Sequence, residues 1–236
     1  MTGPDYLRDS RRLSVGLLAI SPLLAVYEAG LLLGESELRN GADALLRQAF
    51  LLAFGPAGRF CFGAGILVLL LGSLWLAVRE RLPAHRLAVP LAFEGMLFGA
   101  ILGPLSLVLR GGLSLSASLD PESPALRTLL AIGAGVYEEL AFRLVLLSAL
   151  FVLALRIGAP FGGGRGSALL VALCVSSLGF AAFHHVGAYA EPFTWNAFLF
   201  RAIAGGVLGG IFVARGIGVA VYAHAFYDLL FLASRA

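Results

Sequence analysis

Long apolar runs recur along the chain and constrain its fold more than any other feature. A helix needs about 20 mostly apolar residues to cross a bilayer, and several runs reach that length. Of the 236 residues 59% are hydrophobic and only 13% are charged, whereas a soluble domain holds about 25% charged residues. Because backbone polar groups in lipid must be satisfied internally, these runs should form helices. We therefore expect an all-α, polytopic membrane protein with about seven to eight transmembrane helices.

Seven spans can be bounded from the apolar runs. They cover approximately residues 13–33, 60–78, 87–109, 125–155, 167–184, 196–214 and 217–232. The first span lacks a small-residue cleavage site at its end, so we expect a retained helix and not a cleaved signal. A further apolar segment, 42–54, is short and carries Asp43, Arg47 and Gln48. Its length favours an interfacial or re-entrant helix over a span.

The longest predicted span carries an unusual cluster of charge. Glu138, Glu139 and Arg143 lie together inside one apolar stretch. Charge at bilayer depth is costly, so such groups normally face a protein interior or a wet cavity. Glu139 and Arg143 are four residues apart, which places them on one face of an α-helix as a structural ion pair. Glu138 points about 100° away, which frees it to face a polar intramembrane cavity and act as a base.

Histidines lie in or at the ends of the later spans. The chain has four, and three of them are His184, His185 and His224. A near-neutral pKa suits histidine to proton transfer or to metal ligation. His224 and Asp228 are four residues apart and can share a hydrogen bond. Phe180 precedes His184 by the same spacing.

Two chemistries fit these residues. A buried glutamate makes a competent general base, and a nearby histidine can orient the water that attacks an amide. A second polar pair can then hold the developing oxyanion. The alternative is a divalent metal, such as zinc, that activates the water. Its ligands would be Glu138, His184, His224 and Asp228. No His-Glu-x-x-His motif is present, so the residues leave this choice open.

Other interpretations of the polar residues compete with hydrolysis. Ser176 or Ser177 could act as a nucleophile with His184, but no Gly-x-Ser-x-Gly motif supports that role. The polar groups could also form a structural network or serve a proton-coupled transporter. Arg201, in the first turn of the sixth predicted span, is expected to extend to the membrane surface. The basic residues are dispersed, so we expect no nucleic-acid partner.

Three short motifs on separate spans resemble the CPBP family of intramembrane proteases, which includes the type II CAAX prenyl endopeptidases and the bacterial Abi group. The family pattern is Glu-Glu-x-x-x-Arg, then Phe-x-x-x-His, then His-x-x-x-Asn or Asp. In this chain the motifs are Glu138-Glu139-Leu140-Ala141-Phe142-Arg143, Phe180-Ala181-Ala182-Phe183-His184 and His224-Ala225-Phe226-Tyr227-Asp228. The resemblance covers roughly residues 125–232.

The resemblance implies an intramembrane endopeptidase and assigns roles to these residues. Glu138 and His184 would activate water, and His224 and Asp228 would bind or polarise the scissile carbonyl. The supporting residues would be Glu139, Arg143 and Phe180. The resemblance favours a glutamate-type protease with no cofactor over a metal-dependent one.

Two positions stand out against the family pattern. The prenyl endopeptidases have Asn where this chain has Asp228, and an ionised Asp can only accept a hydrogen bond. Asp228 would then orient His224, stay protonated or act as a metal ligand. His185, next to the motif histidine, is an extra group that we interpret as a backup ligand or a loop residue.

The substrate that the resemblance implies is a membrane-anchored protein or peptide, carrying for example a C-terminal sorting signal or a bacteriocin. All 17 basic residues are Arg, which indicates a GC-rich bacterial source. Together with the apolar spans, this predicts an integral, multi-pass protein of the bacterial inner membrane. We expect a single membrane domain over residues 1–236, with N-terminal helices in 1–124 and catalytic core helices in 125–236. The alternative is a non-proteolytic immunity or scaffold protein in the membrane.

Overall fold

A computed structural model of the chain describes residues 3–34, 37–110, 123–159, 162–187 and 190–234. This described part is helical and contains no strand. Its helices are α1 (Gly3–Asp9), α2 (Leu13–Leu33), α3 (Gly41–Phe54), α4 (Gly58–Arg79), α5 (Ala84–Arg110), α6 (Pro124–Gly133), α7 (Ser148–Gly158), α8 (Arg165–Phe183), α9 (Trp195–Arg215) and α10 (Ile217–Ala233). A π-helical segment, Ala134–Leu147, joins α6 to α7 without a break.

The helices confirm the predicted polytopic membrane architecture. Within the described residues, six helical segments are long and apolar enough to cross a membrane, and α10 is a shorter apolar helix. The first predicted span, 13–33, has the same bounds as α2. The other predicted spans also fall on helices, because runs of this length and composition can satisfy their backbone groups only in that way.

The short apolar segment forms α3, which packs beside α4. A tight 3-10 turn, Gly55–Ala57, joins the two helices. Gly55 has a φ of 56°, a left-handed conformation that favours glycine. The rings of Phe50 and Phe62 lie 5.4 Å apart across the two helices. With 14 residues α3 extends roughly 21 Å, which is shorter than the hydrocarbon core of a bilayer.

Helix α10 lies at the centre of the bundle and packs against α2, α5, α6, α9 and the π segment. Glycines on its neighbours permit this close approach. A Cβ atom on Gly99 of α5 would lie 2.5 Å from the carbonyl oxygen of Ala223, and one on Gly135 would lie 2.7 Å from the backbone nitrogen of Ala225. Small residues at such contacts let helix backbones pack tightly in membranes.

Helices α9 and α10 are joined by a single sharp turn. Thr194 caps the start of α9, where its Oγ1 accepts a hydrogen bond from the backbone nitrogen of Ala197 at 3.2 Å. Gly216 ends the helix with a φ of 86°, and α10 begins at the next residue. Two neighbouring helices thus carry Arg201 and His224.

The N-terminal helix α1 is fixed to the bundle by polar contacts. The hydroxyl of Tyr6 donates to Glu94 Oε2 at 2.6 Å, and Arg215 Nη2 donates to the same oxygen at 2.8 Å. Burial and the hydrogen bond to Glu94 raise the pKa of Tyr6 to about 12. These contacts join α1 to α5 and to the end of α9.

Candidate active site

The two adjacent acids lie on the π segment and not on the regular α-helix that the apolar pattern predicts. In π winding each backbone N–H bonds to the carbonyl five residues back, one more than in an α-helix, and such segments are frequent at functional sites. Glu138, Glu139 and Arg143 are 6%, 0% and 1% exposed. The segment therefore brings two acids and one guanidinium into the interior of the bundle.

Glu139 is the centre of a buried ionic network. Its Oε1 lies 2.9 Å from Nη1 of Arg143 and 2.7 Å from Nδ1 of His224. Arg143 also donates from Nη2 to the carbonyl oxygen of Gly205 at 3.3 Å, and its guanidinium lies 4.3 Å from the ring centroid of Phe180. The expected Glu139–Arg143 ion pair is thus present, and the network joins the π segment to α8, α9 and α10.

Glu138 contacts a different set of side chains. Its Oε1 accepts a hydrogen bond from Nδ2 of Asn40 at 3.0 Å. Its Oε2 lies 3.8 Å from Nε2 of His184 and 3.9 Å from Nε2 of His224. Asp228 Oδ2 lies 3.5 Å from the same nitrogen of His224. The fold therefore brings together the four side chains that the sequence singles out, at separations that a bridging water can fill.

The hydrogen bonds of the two histidines indicate which ring nitrogen faces Glu138. Nδ1 of His184 lies 2.9 Å from the carbonyl oxygen of Phe180, which can only accept, so this nitrogen carries a proton. Nδ1 of His224 lies 2.7 Å from the Glu139 carboxylate and is assigned as a donor in the same way. Both rings therefore present Nε2 to Glu138.

These groups line a cavity of about 210 Å³. The polar and charged lining residues are Glu138, His184, Glu191, Arg201, His224 and Asp228, and the apolar ones are Leu102, Phe180, Phe200, Ala204, Leu208, Tyr227 and Phe231. The Phe180 ring lies 4.9 Å from the ring of His184 and 6.1 Å from that of His224. It packs beside the site, as its place in the motif implies. The cavity can thus hold an apolar chain next to acid–base groups.

The segment that carries these residues matches the model of a known protein family. Residues 121–230 match the family model of the Rce1-like type II CAAX prenyl endopeptidases. This segment resembles the Rce1-like family. It contains all three motifs and all four converging side chains. The searches of curated proteins and of solved structures returned no match. The match to the Rce1-like model suggests a peptidase, and the six long apolar helical segments of the described residues indicate an integral, multi-pass membrane protein.

The structure bears on the expected roles of His185 and of the two serines, Ser176 and Ser177. Nδ1 of His185 lies 3.1 Å from the carbonyl oxygen of Glu191, and its ring packs 5.1 Å from that of Phe193. This placement favours a loop residue over a backup ligand. Ser176 donates to the carbonyl oxygen of Phe142 at 3.0 Å, and Ser177 donates to that of Leu173 at 2.6 Å. Both serines are bonded within the helical framework, which favours packing residues over a nucleophile.

Asn40 belongs to the site but lies outside the Rce1-like motifs. Its Oδ1 caps α3 by accepting from the backbone nitrogen of Ala42 at 2.8 Å, and its own backbone nitrogen donates to the hydroxyl of Tyr27 at 3.0 Å. The remaining group, Nδ2, points to Glu138. In the sequence, Asn40 shows only the pattern of a helix N-cap before an apolar helix. Nothing in that pattern indicates contact with a residue of the fourth predicted span.

Asn40 also lines a second cavity, of about 460 Å³, that reaches the site from the side of α3. Gln48 and Phe183 line it as well, and Glu138 and His184 line both cavities. The proposed base thus stands between two cavities.

Arg201 lies in the interior, and the expectation that it extends to the membrane surface is wrong. Its side chain is 8% exposed and lines the first cavity. The reason is a counter-charge from the preceding loop: Nη2 donates to Glu191 Oε2 at 2.5 Å. Because the position of this loop was not readable from the sequence, the pairing could not be predicted.

The donor atoms of Glu138, His184, His224 and Asp228 are the candidate ligands of a resident metal. Within the described residues, no group of three or more His, Cys, Asp or Glu side chains is arranged to hold a metal ion. Two ligands of a tetrahedral zinc stand roughly 3.4 Å apart, given bonds of about 2.1 Å. Glu138 Oε2 lies 3.8 and 3.9 Å from the two histidine nitrogens. These two separations exceed that spacing, whereas Asp228 Oδ2 lies 3.5 Å from Nε2 of His224, close to it.

Proposed function

We propose that the protein is an intramembrane endopeptidase that hydrolyses a peptide bond with a water activated by Glu138 and His184. One observation carries this proposal. Glu138 Oε2 faces the Nε2 atoms of His184 and His224 at 3.8 and 3.9 Å, beside an apolar cavity. This arrangement supplies a base, a second acid–base group and a donor around one position. Hydrolysis of an amide by an activated water requires these parts.

The reaction begins with a water between Glu138 Oε2 and His184 Nε2. Glu138 takes one proton as the water oxygen attacks the scissile carbonyl carbon, and a tetrahedral oxyanion forms. The Nδ1–H group of His184 donates to the carbonyl oxygen of Phe180, so its Nε2 is free to accept a hydrogen bond from the water. This hydrogen bond orients the water. When the intermediate collapses, the C–N bond breaks and the proton on Glu138 passes to the leaving nitrogen. Glu138 is then ready for the next water.

His224 is the proposed donor to the oxyanion. Because Nδ1 donates to Glu139, His224 can donate from Nε2 only as an imidazolium. The carboxylates of Glu139 and Asp228 lie 2.7 and 3.5 Å from its ring nitrogens and supply counter-charge for that form. In this proposal Asp228 acts through His224 and not as a direct donor. This accounts for an acid where the prenyl endopeptidases have Asn.

The apolar cavity supports a membrane-anchored protein or peptide as substrate. The chain is an integral membrane protein, and phenylalanine and leucine side chains make up much of the cavity lining. Such a wall accepts a peptide tail with apolar side chains. We assign the protein to the inner membrane of a bacterium and its substrates to anchored proteins with a cleavable sorting signal or a bacteriocin-like peptide.

The proposal is tested by comparing protein termini in membranes from cells of the source organism that carry the wild-type gene or Glu138→Gln. The variant removes the base and preserves the shape of the side chain. We expect a defined set of proteins to keep an extra peptide in the variant only. Identical termini, with the variant present at normal abundance, would favour a transporter or an immunity scaffold instead. Such proteins should move solutes in liposomes, or protect cells without Glu138, His184 and His224.

A further inference from the structure

Arg201 has bonding capacity that the proposed reaction does not use. Its Nη2 is held by Glu191, but its Nη1 is buried and has no hydrogen-bond partner within the described residues. A buried guanidinium nitrogen without a partner is costly, because a group that has lost water needs a replacement acceptor. The side chain lines the same cavity as Glu138 and His184. A substrate carboxylate that enters this cavity and reaches Nη1 would supply the missing acceptor.

The loop after α8 fixes Arg201 relative to the catalytic histidine. The backbone nitrogen of Glu191 donates to the carbonyl oxygen of His184 at 2.8 Å, and the Glu191 side chain holds the guanidinium. Arg201 also follows Phe200, whose ring lines the cavity between α9 and α10. The arginine is therefore a rigid part of the site, at a set position from the reacting atoms. Preorganisation of this kind lowers the entropic cost of binding.

The charges around the cavity favour Arg201 as the position for a carboxylate of the substrate, since His224 is already flanked by Glu139 and Asp228. Glu138, Glu191 and Asp228 line the cavity, and Arg201 is the only lysine or arginine among the described lining residues. A negative group on a substrate is repelled from the end with Glu138 and Asp228 and attracted to the guanidinium. Arginine presents a planar fork of donors that suits a carboxylate in particular. An anionic substrate is thereby oriented, with its carboxylate at Arg201 and the rest of the chain toward Glu138.

We propose that Arg201 binds a carboxylate of the substrate and so selects which peptide bond reaches Glu138. This inference rests on the proposed endopeptidase function and names a feature of its substrates. The carboxylate belongs either to the C-terminus of the cleaved chain or to an acidic side chain near the cleaved bond. Both sources offer the same chemistry to Arg201, and the test separates them.

The test uses the full-length protein in liposomes and a set of lipid-anchored peptides with randomised tails, with products read by mass spectrometry. Each tail is made with a free or an amidated C-terminus, and with Asp and Glu or their amide counterparts. We expect the wild-type protein to cut one carboxylate form about tenfold or more faster than its neutral counterpart, as a charge-assisted hydrogen bond provides. If Arg201 binds the C-terminal carboxylate, amidation of the C-terminus should remove the faster cleavage. If Arg201 binds an acidic side chain, replacement of Asp and Glu by Asn and Gln should remove it.

Variants then assign the preference to Arg201. Arg201→Gln should bring the ratio of the two rates close to one, and Arg201→Lys should leave an intermediate ratio because lysine lacks the planar fork. Arg165→Gln is the matched control, since Arg165 is exposed at the start of α8 and does not line this cavity. A ratio unchanged in Arg201→Gln would overturn the inference.

If the Arg201 variants do not fold, the wild-type cleavage rates alone still test both the role of Arg201 and the proposed endopeptidase function. A wild-type protein that cuts charged and neutral tails at equal rates overturns the role of Arg201 while the proposed function stands. A wild-type protein that cuts no tail overturns the proposed function, and the inference falls with it.

Discussion

The Nδ2 atom of Asn40 lies 3.0 Å from Oε1 of Glu138, although 98 residues separate the two in the sequence. The amide nitrogen can only donate, so it holds one oxygen of the carboxylate and leaves Oε2 directed at the two histidines. Asn40 is itself fixed by α3 and by Tyr27. The α3 segment thereby determines which oxygen of the proposed base is available for proton transfer.

Replacement of Asn40 by serine should lower turnover and leave folding intact. Serine keeps the N-cap but cannot reach Glu138, so we expect kcat to fall about tenfold with little change in KM, the cost of one hydrogen bond to a charged group. Gln48→Ala, which alters the same cavity, is the control. Steady-state kinetics in detergent and a thermal unfolding curve measure both effects. Wild-type kcat in Asn40→Ser would show that this hydrogen bond does not position the base.

Loss of Arg143 should reduce the amount of folded protein more than loss of Glu138 does. Arg143→Ala leaves Glu139 fully buried without its partner at 2.9 Å, a change that costs about 3–5 kcal/mol in comparable sites. Glu138→Gln leaves no charge unpaired and serves as the comparison. Protein abundance in isolated membranes, by immunoblot, is the measurement. Equal abundance of the two variants would argue against a structural role for the ion pair.

Treatment with a metal chelator should leave proteolysis unchanged. The proposed reaction uses only side chains and water, so dialysis against a strong chelator should remove no reacting group. The rate before and after dialysis is measured together with the metal content of the purified protein. A loss of activity that zinc restores would instead favour the alternative in which Glu138, His184, His224 and Asp228 are metal ligands.

A methyl group at Gly135 should disturb the site from a distance. In Gly135→Ala the new Cβ would lie 2.7 Å from the backbone nitrogen of Ala225, so the π segment and α10 must separate. We expect a loss of about 1–3 kcal/mol in unfolding free energy, together with reduced turnover, because His224 moves with α10. Gly210→Ala is the matched control, since nothing lies within 4 Å of its added Cβ. Equal unfolding curves for the two variants would argue against close packing of Gly135 on Ala225.

The helices and their order could be predicted from the sequence because one physical rule dominates them. A run such as 13–33 has no alternative to a helix in lipid, and its structure agrees with that expectation. The rare charges of the later spans were equally informative, because an apolar surrounding leaves few explanations for Glu138 or His224. Their convergence follows from the close packing of α10 against the π segment.

Other parts of the site depend on tertiary contacts that leave no local pattern. The contact of Asn40 requires α3 to pack against the π segment, and the burial of Arg201 requires Glu191 to approach from a loop. The π winding of Ala134–Leu147 is also absent from the apolar periodicity, which predicts a regular α-helix there. Polar side chains outside the motifs are therefore the ones for which the structure changes the interpretation.

Two cavities share Glu138 and His184 in their linings, and this matters for how substrate and water reach a hydrolase within a bilayer. Its two reactants arrive from opposite phases, since an anchored tail diffuses in oil and water is scarce there. In the proposed reaction, the first cavity would receive the tail and the cavity lined by Asn40 and Gln48 would receive the water. A tail bound in the first cavity would then leave the second cavity free to return a water to Glu138.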